Sequence, residues 1–132
     1  MDNLEIEKTK RTPAINFDFS KCVFSMTGES YPEDINQFYG EIITTFKSYL
    51  AESKDQTLVF NFDLIYFNSS SAKVMMQIFD MLEAAAKNNT VQINWLHEEE
   101  DDNMAELGEE FGEDLENAAF QLKVKETEKS EN

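Results

Sequence analysis

Asn68-Ser69-Ser70-Ser71-Ala72-Lys73 sets three hydroxyls side by side, with a cation close behind. A serine hydroxyl can serve as a nucleophile, a phosphate acceptor or a helix cap. Nucleophilic use needs a base. The only histidine is His97, and its acidic neighbours make it read as a surface residue. Glu98 to Glu116 carries eleven acids and no base. A calcium loop needs ligands at alternate positions, Gly at the sixth and Glu at the twelfth. Asp101-Asp102-Asn103-Met104-Ala105-Glu106 puts Ala and Glu where Asp/Asn and Gly belong, so the pattern fails. The segment reads as the solvated face of a helix, with a docking face for a basic partner as the alternative. No acid stands apart from its neighbours as one of a catalytic carboxylate pair. Gly-rich phosphate loops, HExxH and CxxC are absent. The residues therefore point to no catalytic group, no metal and no cofactor, and to a protein that is not an enzyme. The lone cysteine, Cys22, forms no internal disulfide and reads as a small buried hydrophobe inside a strand-like run.

The elements that position the serines follow from periodicity. Residues 1 to about 11 read as a frayed polar lead. Ile15, Phe17 and Phe19 alternate, then Cys22, Phe24 and Met26, and the short gap between the runs predicts a hairpin. Ser30 with Glu33 fits a capping box, and Pro32 fits the first turn. Ile35, Phe38, Tyr39, Ile42, Ile43, Phe46 and Leu50 give a long amphipathic helix ending near Glu52. Thr57 to Phe67 is a nearly continuous apolar run and predicts a central strand covered on both faces. The serine turn comes next, followed by a helix over Ala72–Ala86. Lys87-Asn88-Asn89 ends it, and Val91, Ile93 and Trp95 alternate as a strand. Met104, Leu107, Phe111 and Leu115 mark a third helix, and Phe120, Leu122 and Val124 an edge strand. The order β-β-α-β-α-β-α-β predicts an α/β fold: one mixed sheet of about five strands with three helices. Residues 1–132 read as one domain, with an ordered core over about 12–125 and polar tails at both ends.

On these residues alone the turn has two readings. Serine is a favoured N-cap, and a run of three supplies one. Yet three hydroxyls exceed what a cap needs, and Lys73 sits where the helix dipole disfavours a cation. An anion added beside it, such as a phosphoserine at the helix start, would meet free amides and Lys73 together.

The net charge of −16 argues against nucleic acid and against an anionic membrane surface, which both need clustered Lys/Arg. It suits a basic partner surface. The N-terminus shows no signal-peptide apolar region, and no apolar run approaches the roughly 20 residues of a bilayer span, so a cytoplasmic location is expected.

The strand–Asn-Ser-Ser–helix unit resembles the phosphorylation turn of the anti-sigma-factor antagonist (STAS-type) domains. Those carry Asp-Ser-Ser or Asp-Ser-Thr there, usually followed by Gly. Nearly the whole chain, residues 9 to 124, more closely resembles the bacterial SiaC family of regulatory phosphoproteins. The matching pieces are Thr12-Pro13-Ala14-Ile15-Asn16-Phe17-Asp18, Gly28-Glu29-Ser30-Tyr31-Pro32-Glu33 with Phe38-Tyr39-Gly40, Tyr66 to Lys73, and the acidic Glu99 to Leu115 block with Gly108-Glu109-Glu110-Phe111. This resemblance implies a STAS-like domain and a partner-switching pathway. The unmodified protein would bind and activate a diguanylate cyclase, raising cyclic di-GMP and favouring biofilm. A Ser/Thr kinase and a PP2C-type phosphatase would set its phosphorylation, and phosphate would block cyclase binding. Family members usually have Thr directly after the Asn. That position is Ser69 here, which makes Ser69 the expected acceptor, ahead of Ser70 and Ser71. Tyr66, Asn68, Ser70, Ser71 and Lys73 would form the turn and partner surface, with Ser70 and Ser71 capping the helix. The alternative is an anti-sigma-factor antagonist that binds a switch kinase. Asn68 in place of the antagonists' Asp, and Ser71 in place of their Gly, make that the weaker inference.

Overall fold

The computed structural model describes residues 2–125. The polar tail expected beyond Lys125 lies outside the described residues. The strands are β1 (Leu4–Ile6), β2 (Ala14–Asp18), β3 (Val23–Ser30), β4 (Thr57–Phe67), β5 (Thr90–His97) and β6 (Ala119–Val124). The helices are α1 (Ile35–Glu52), α2 (Ser69–Ala85) and α3 (Asp102–Gly112). All six strands form one mixed α/β sheet in sequence order, β1-β2-β3-β4-β5-β6. The pairs β1–β2 and β2–β3 are antiparallel, and the remaining pairs are parallel.

The expected hairpin is β2–β3. The Asp18 carboxylate closes it by accepting hydrogen bonds from Ser20 N, Ser20 Oγ and Lys21 N. Those bonds, the Ser20 hydroxyl foremost, hold its pKa below the ordinary carboxylate value. Cys22 is buried as expected, but it lies in the turn with φ +62°, not inside a strand.

The N-terminal lead is not frayed, and its strand raises the count to six. Leu4 and Ile6 pack partly buried against the core, opposite Phe17 and Ile15 in the β1–β2 register. Three residues are too short a run for periodicity to register.

Each of the three crossovers carries the chain to the next strand in the same direction. Right-handed crossovers then put all three helices on one face. Phe46 of α1 packs on Phe17, Phe24 and Phe60. Phe79 of α2 packs on Phe62 and Trp95, and Phe111 of α3 on Trp95. The expectation that β4 is covered on both faces is therefore wrong. Leu58, Phe60, Phe62 and Leu64 face the helices and are buried, while Val59, Asn61 and Asp63 face the open side half-exposed. The open side is bridged by amides. Asn94 Nδ2 donates to Asn61 Oδ1 at 2.8 Å, and Gln92 Nε2 donates to Asn94 Oδ1 at 2.9 Å.

Helix α1 starts later than the expected capping box. Asp34 is its N-cap, with Oδ1 accepting from Gln37 N. Ser30 is the last residue of β3, so its backbone is committed to the sheet and cannot cap.

Candidate functional site

Strand β4 does not reach the serine turn with its alternation intact. Gly28 pairs with Leu64, but the next residue, Glu29, pairs with Tyr66, which leaves Ile65 as an extra residue. Gly28 adopts φ +121°, a conformation that favours glycine, at this β-bulge. The slip inverts the phase of β4. Phe67 turns inward to stack on Phe111, while Ile65 and Tyr66 both stay exposed. Tyr31 meets the Tyr66 ring edge-on at 5.7 Å.

The turn itself is made by Asn68. Its Oδ1 accepts from Ser71 N at 3.0 Å, its carbonyl accepts from Ala72 N, and its own N–H donates to Ser30 O at 3.1 Å. Asn68, not a serine, is the N-cap, and the expectation that Ser70 and Ser71 cap the helix is corrected. The three serines fall on the first three positions of α2 and separate by burial. Ser71 is fully buried, while Ser69 and Ser70 are exposed.

Beneath the turn lies a buried hydroxyl chain. Ser71 Oγ hydrogen-bonds Ser30 Oγ at 2.7 Å, and Ser30 Oγ hydrogen-bonds Tyr39 Oη at 2.6 Å. Desolvation pushes the Tyr39 phenol up to about 12 against the opposing effect of the Ser30 bond, so it stays neutral. The chain ties β3, α1 and α2 to one point and fixes where the exposed serines stand. Local patterns read Ser30 as a cap, which it is not, and Tyr39 as part of the buried helix stripe, which it is, without revealing the bond between them.

Above the turn, Ser69 and Lys73 are one helical turn apart, so they are neighbours on the surface of α2. Lys73 is exposed and makes no ion pair among the described residues. Met76, about half exposed, continues the same stripe. The turn therefore brings together Tyr66, Asn68, Ser69, Ser70 and Lys73, and sends Ser71 inward.

The acidic segment is a solvated helix face, as expected. Glu106, Glu109 and Glu110 are exposed, while Met104 and Gly108 face the sheet. A Cβ at Gly108 would collide with the Trp95 ring, and Trp95 Nε1 donates to Met104 O at 2.9 Å. Among the described residues no group of three His, Cys, Asp or Glu is placed to hold a metal ion. His97 is not a surface residue. It ends β5 on the helix-facing side, buried, with Nδ1 hydrogen-bonded to Glu98 O at 2.8 Å.

A cleft of about 750 Å³ opens at the other end of β3, lined in part by Cys22, Tyr49 and Gln56. Cys22 Sγ hydrogen-bonds Tyr49 Oη at 3.1 Å. Burial, with the Cys22 contact, pushes that phenol up to about 12. No described helix is long and apolar enough to cross a membrane.

Residues 6–125 match the model of the SiaC family of regulatory phosphoproteins. An uncharacterized protein of Pseudomonas aeruginosa (strain UCBPP-PA14) is 38% identical over 115 residues, covering 86% of this chain and 90% of that protein. Among solved structures, apo-SiaC from Pseudomonas aeruginosa superposes with a TM-score of 0.79 at 36% identity, covering 96% of this chain and 100% of that one. A chain in the crystal structure of the diguanylate cyclase SiaD in complex with its activator SiaC, from the same organism, gives a TM-score of 0.85 at 35% identity, covering 92% and 99%.

Proposed function

The chain belongs to the SiaC family of regulatory phosphoproteins, and from that premise we propose that it is the switch component of a partner-switching pathway. Unmodified, it binds a diguanylate cyclase and activates it, through the serine turn and the adjoining exposed face of α2. A Ser/Thr kinase transfers the terminal phosphoryl group of ATP to Ser69 Oγ, and binding is lost. A PP2C-type phosphatase hydrolyses the phosphoserine and restores it. The protein acts by binding and catalyses nothing itself.

One observation carries this reading: an exposed Ser69 opens a helix whose cap is uncharged, and Lys73, which makes no ion pair among the described residues, stands one turn further along the same face. The related structure of a cyclase with its SiaC activator supports the choice of partner. Phosphate adds about −1.5 to −2 charges. On Ser69 that charge would face the free amides of the first turn and lie beside Lys73, which favours the helix. The phosphorylated protein thus keeps its fold, and the switch works by placing a strongly hydrated charge where the partner must dock. Ser70 is equally reachable but lies one position round the helix from the Ser69–Lys73 stripe. Ser71 would have to leave Ser30 before a kinase could reach it.

The test is reconstitution with the purified cyclase, kinase and phosphatase. Cyclic di-GMP synthesis should rise on adding the chain and fall when the kinase acts, with phosphate mapped to Ser69 by mass spectrometry. A Ser69→Ala chain that is still fully phosphorylated, or a cyclase indifferent to the unmodified chain, would sink the reading.

A further inference from the structure

The helices cover one face of the sheet, and the bulge places apolar side chains on the other. Tyr66 lies opposite Glu29 in the β3–β4 register. It therefore shares the face of Ser25 and Thr27, away from the buried Phe24 and Met26. Ile65, the extra residue, is 54% exposed and Tyr66 is 51% exposed. Two successive apolar side chains thus stand out from the open face immediately before the serine turn, with Tyr31 braced against the second. A bulge beside a functional turn commonly re-aims side chains, and tyrosine is among the residues that anchor interfaces.

The border of this patch is mixed. Lys8 packs against Gly28, and Arg11, whose carbonyl accepts from Tyr31 N, pairs with Glu33. The acids nearest the patch are Glu29, Asp63 and Glu98. Glu29 makes no ion pair among the described residues. Asp63 and Glu98 share one cation, Lys125, at 2.7 and 3.9 Å. The chain as a whole carries −16. Continuity matters as well as charge: β4 runs from this patch straight into Ser69, so phosphate there would fall on its rim.

We infer that the open sheet face around Ile65, Tyr66 and Glu29 is a second docking surface, and that it takes an apolar segment of the cyclase bordered by Lys or Arg. This rests on the proposed function and extends it: that reading uses the turn, with Tyr66 at its edge, and α2, whereas Ile65 and Glu29 carry the surface onto the sheet. The partner would then straddle the turn, gripping α2 on one side and the bulged strand on the other.

Titration calorimetry with the purified diguanylate cyclase tests it, with thermal unfolding as the check on folding. The double variant Ile65→Ser, Tyr66→Ser should raise Kd by about thirtyfold, the scale of a lost anchor. Glu29→Lys should raise Kd by about tenfold and weaken the salt dependence of binding. In hydrogen exchange, residues 27–31 and 63–67 should gain protection in the complex. A folded double variant that binds like the wild type, or protection confined to 69–80, overturns the second surface and leaves the proposed function standing. Glu29→Lys binding at unchanged or higher affinity overturns the basic border. A wild-type chain that does not bind the cyclase removes both.

Discussion

Helices α2 and α3 both start from the end of a parallel strand, and both are capped the same way. Asn68 Oδ1 accepts from Ser71 N at 3.0 Å, and Asp101 Oδ1 accepts from Met104 N at 3.1 Å. Electrostatically the two ends are opposites. At α3 the cap is an acid and Asp102 follows in the first turn, so the positive end of the dipole is already answered. At α2 the cap is a neutral amide, no acid lies in the first turn, and the nearest charge along the same face is the cation Lys73, one turn in. Even α1 has an acidic cap, Asp34. Among these helices only α2 begins with its anion missing and an exposed hydroxyl where one can be attached. A modified Ser69, as proposed, would be a site marked out by what a standard helix start lacks.

The comparison breaks most severely if α3 is released. Trp95→Ala removes a fully buried ring and the donor to Met104 O, and should cost about 3–5 kcal/mol in urea unfolding. The phosphorylation proposed for Ser69 should then be unchanged if the two ends are independent. Ser71→Val is the matching cut on the other side. It leaves Ser30 Oγ with only Tyr39 and should cost about 1–3 kcal/mol, with faster hydrogen exchange at 68–72.

A smaller effect reports on the tie between the regions. Glu83 of α2 accepts from the backbone amides of Glu116, Asn117 and Ala118, beyond α3. Desolvation raises its pKa, but those bonds outweigh it and hold the carboxyl below its ordinary 4.5. A depressed folded-state pKa stabilises the protein above about pH 4.5, and that stability is lost as pH falls through the folded value. Glu83→Gln should flatten this acid limb of the stability profile and leave its basic side unchanged. The smallest effect is the sharpest test. Asn68→Asp should stabilise the unmodified chain by about 0.3–1 kcal/mol at low salt, and Asp101→Asn should destabilise it by a similar amount. If the two exchanges give the same sign, the contrast between the helix starts is wrong.

The position of the serine turn was legible because a near-continuous apolar run, a run of hydroxyls and a helical period meet at one point. Which residue caps the helix was not. Asn68, Ser69, Ser70 and Ser71 are all competent, and the choice is made by Ser30, 41 residues away, which draws Ser71 into the core. The bulge was hidden for a similar reason. Leu64-Ile65-Tyr66-Phe67 reads as a strand buried on both sides until its register against Gly28 and Glu29 is known. The bare sheet face was half legible in Asn61 and Asp63, which interrupt the apolar run at alternate positions. What local pattern cannot supply is strand order, and strand order decides that every crossover lands on the same side.

That strand order has a consequence for how the molecule comes into being. Each strand pairs with its predecessor in the chain, so the sheet can grow one strand at a time, without a long-range closure at the end. Ser30, Tyr39 and Ser71 all precede α3 and β6 in the chain, in the part that leaves the ribosome first. The buried hydroxyl chain is therefore complete within the N-terminal part of the sequence, and its formation waits on no residue of α3 or β6.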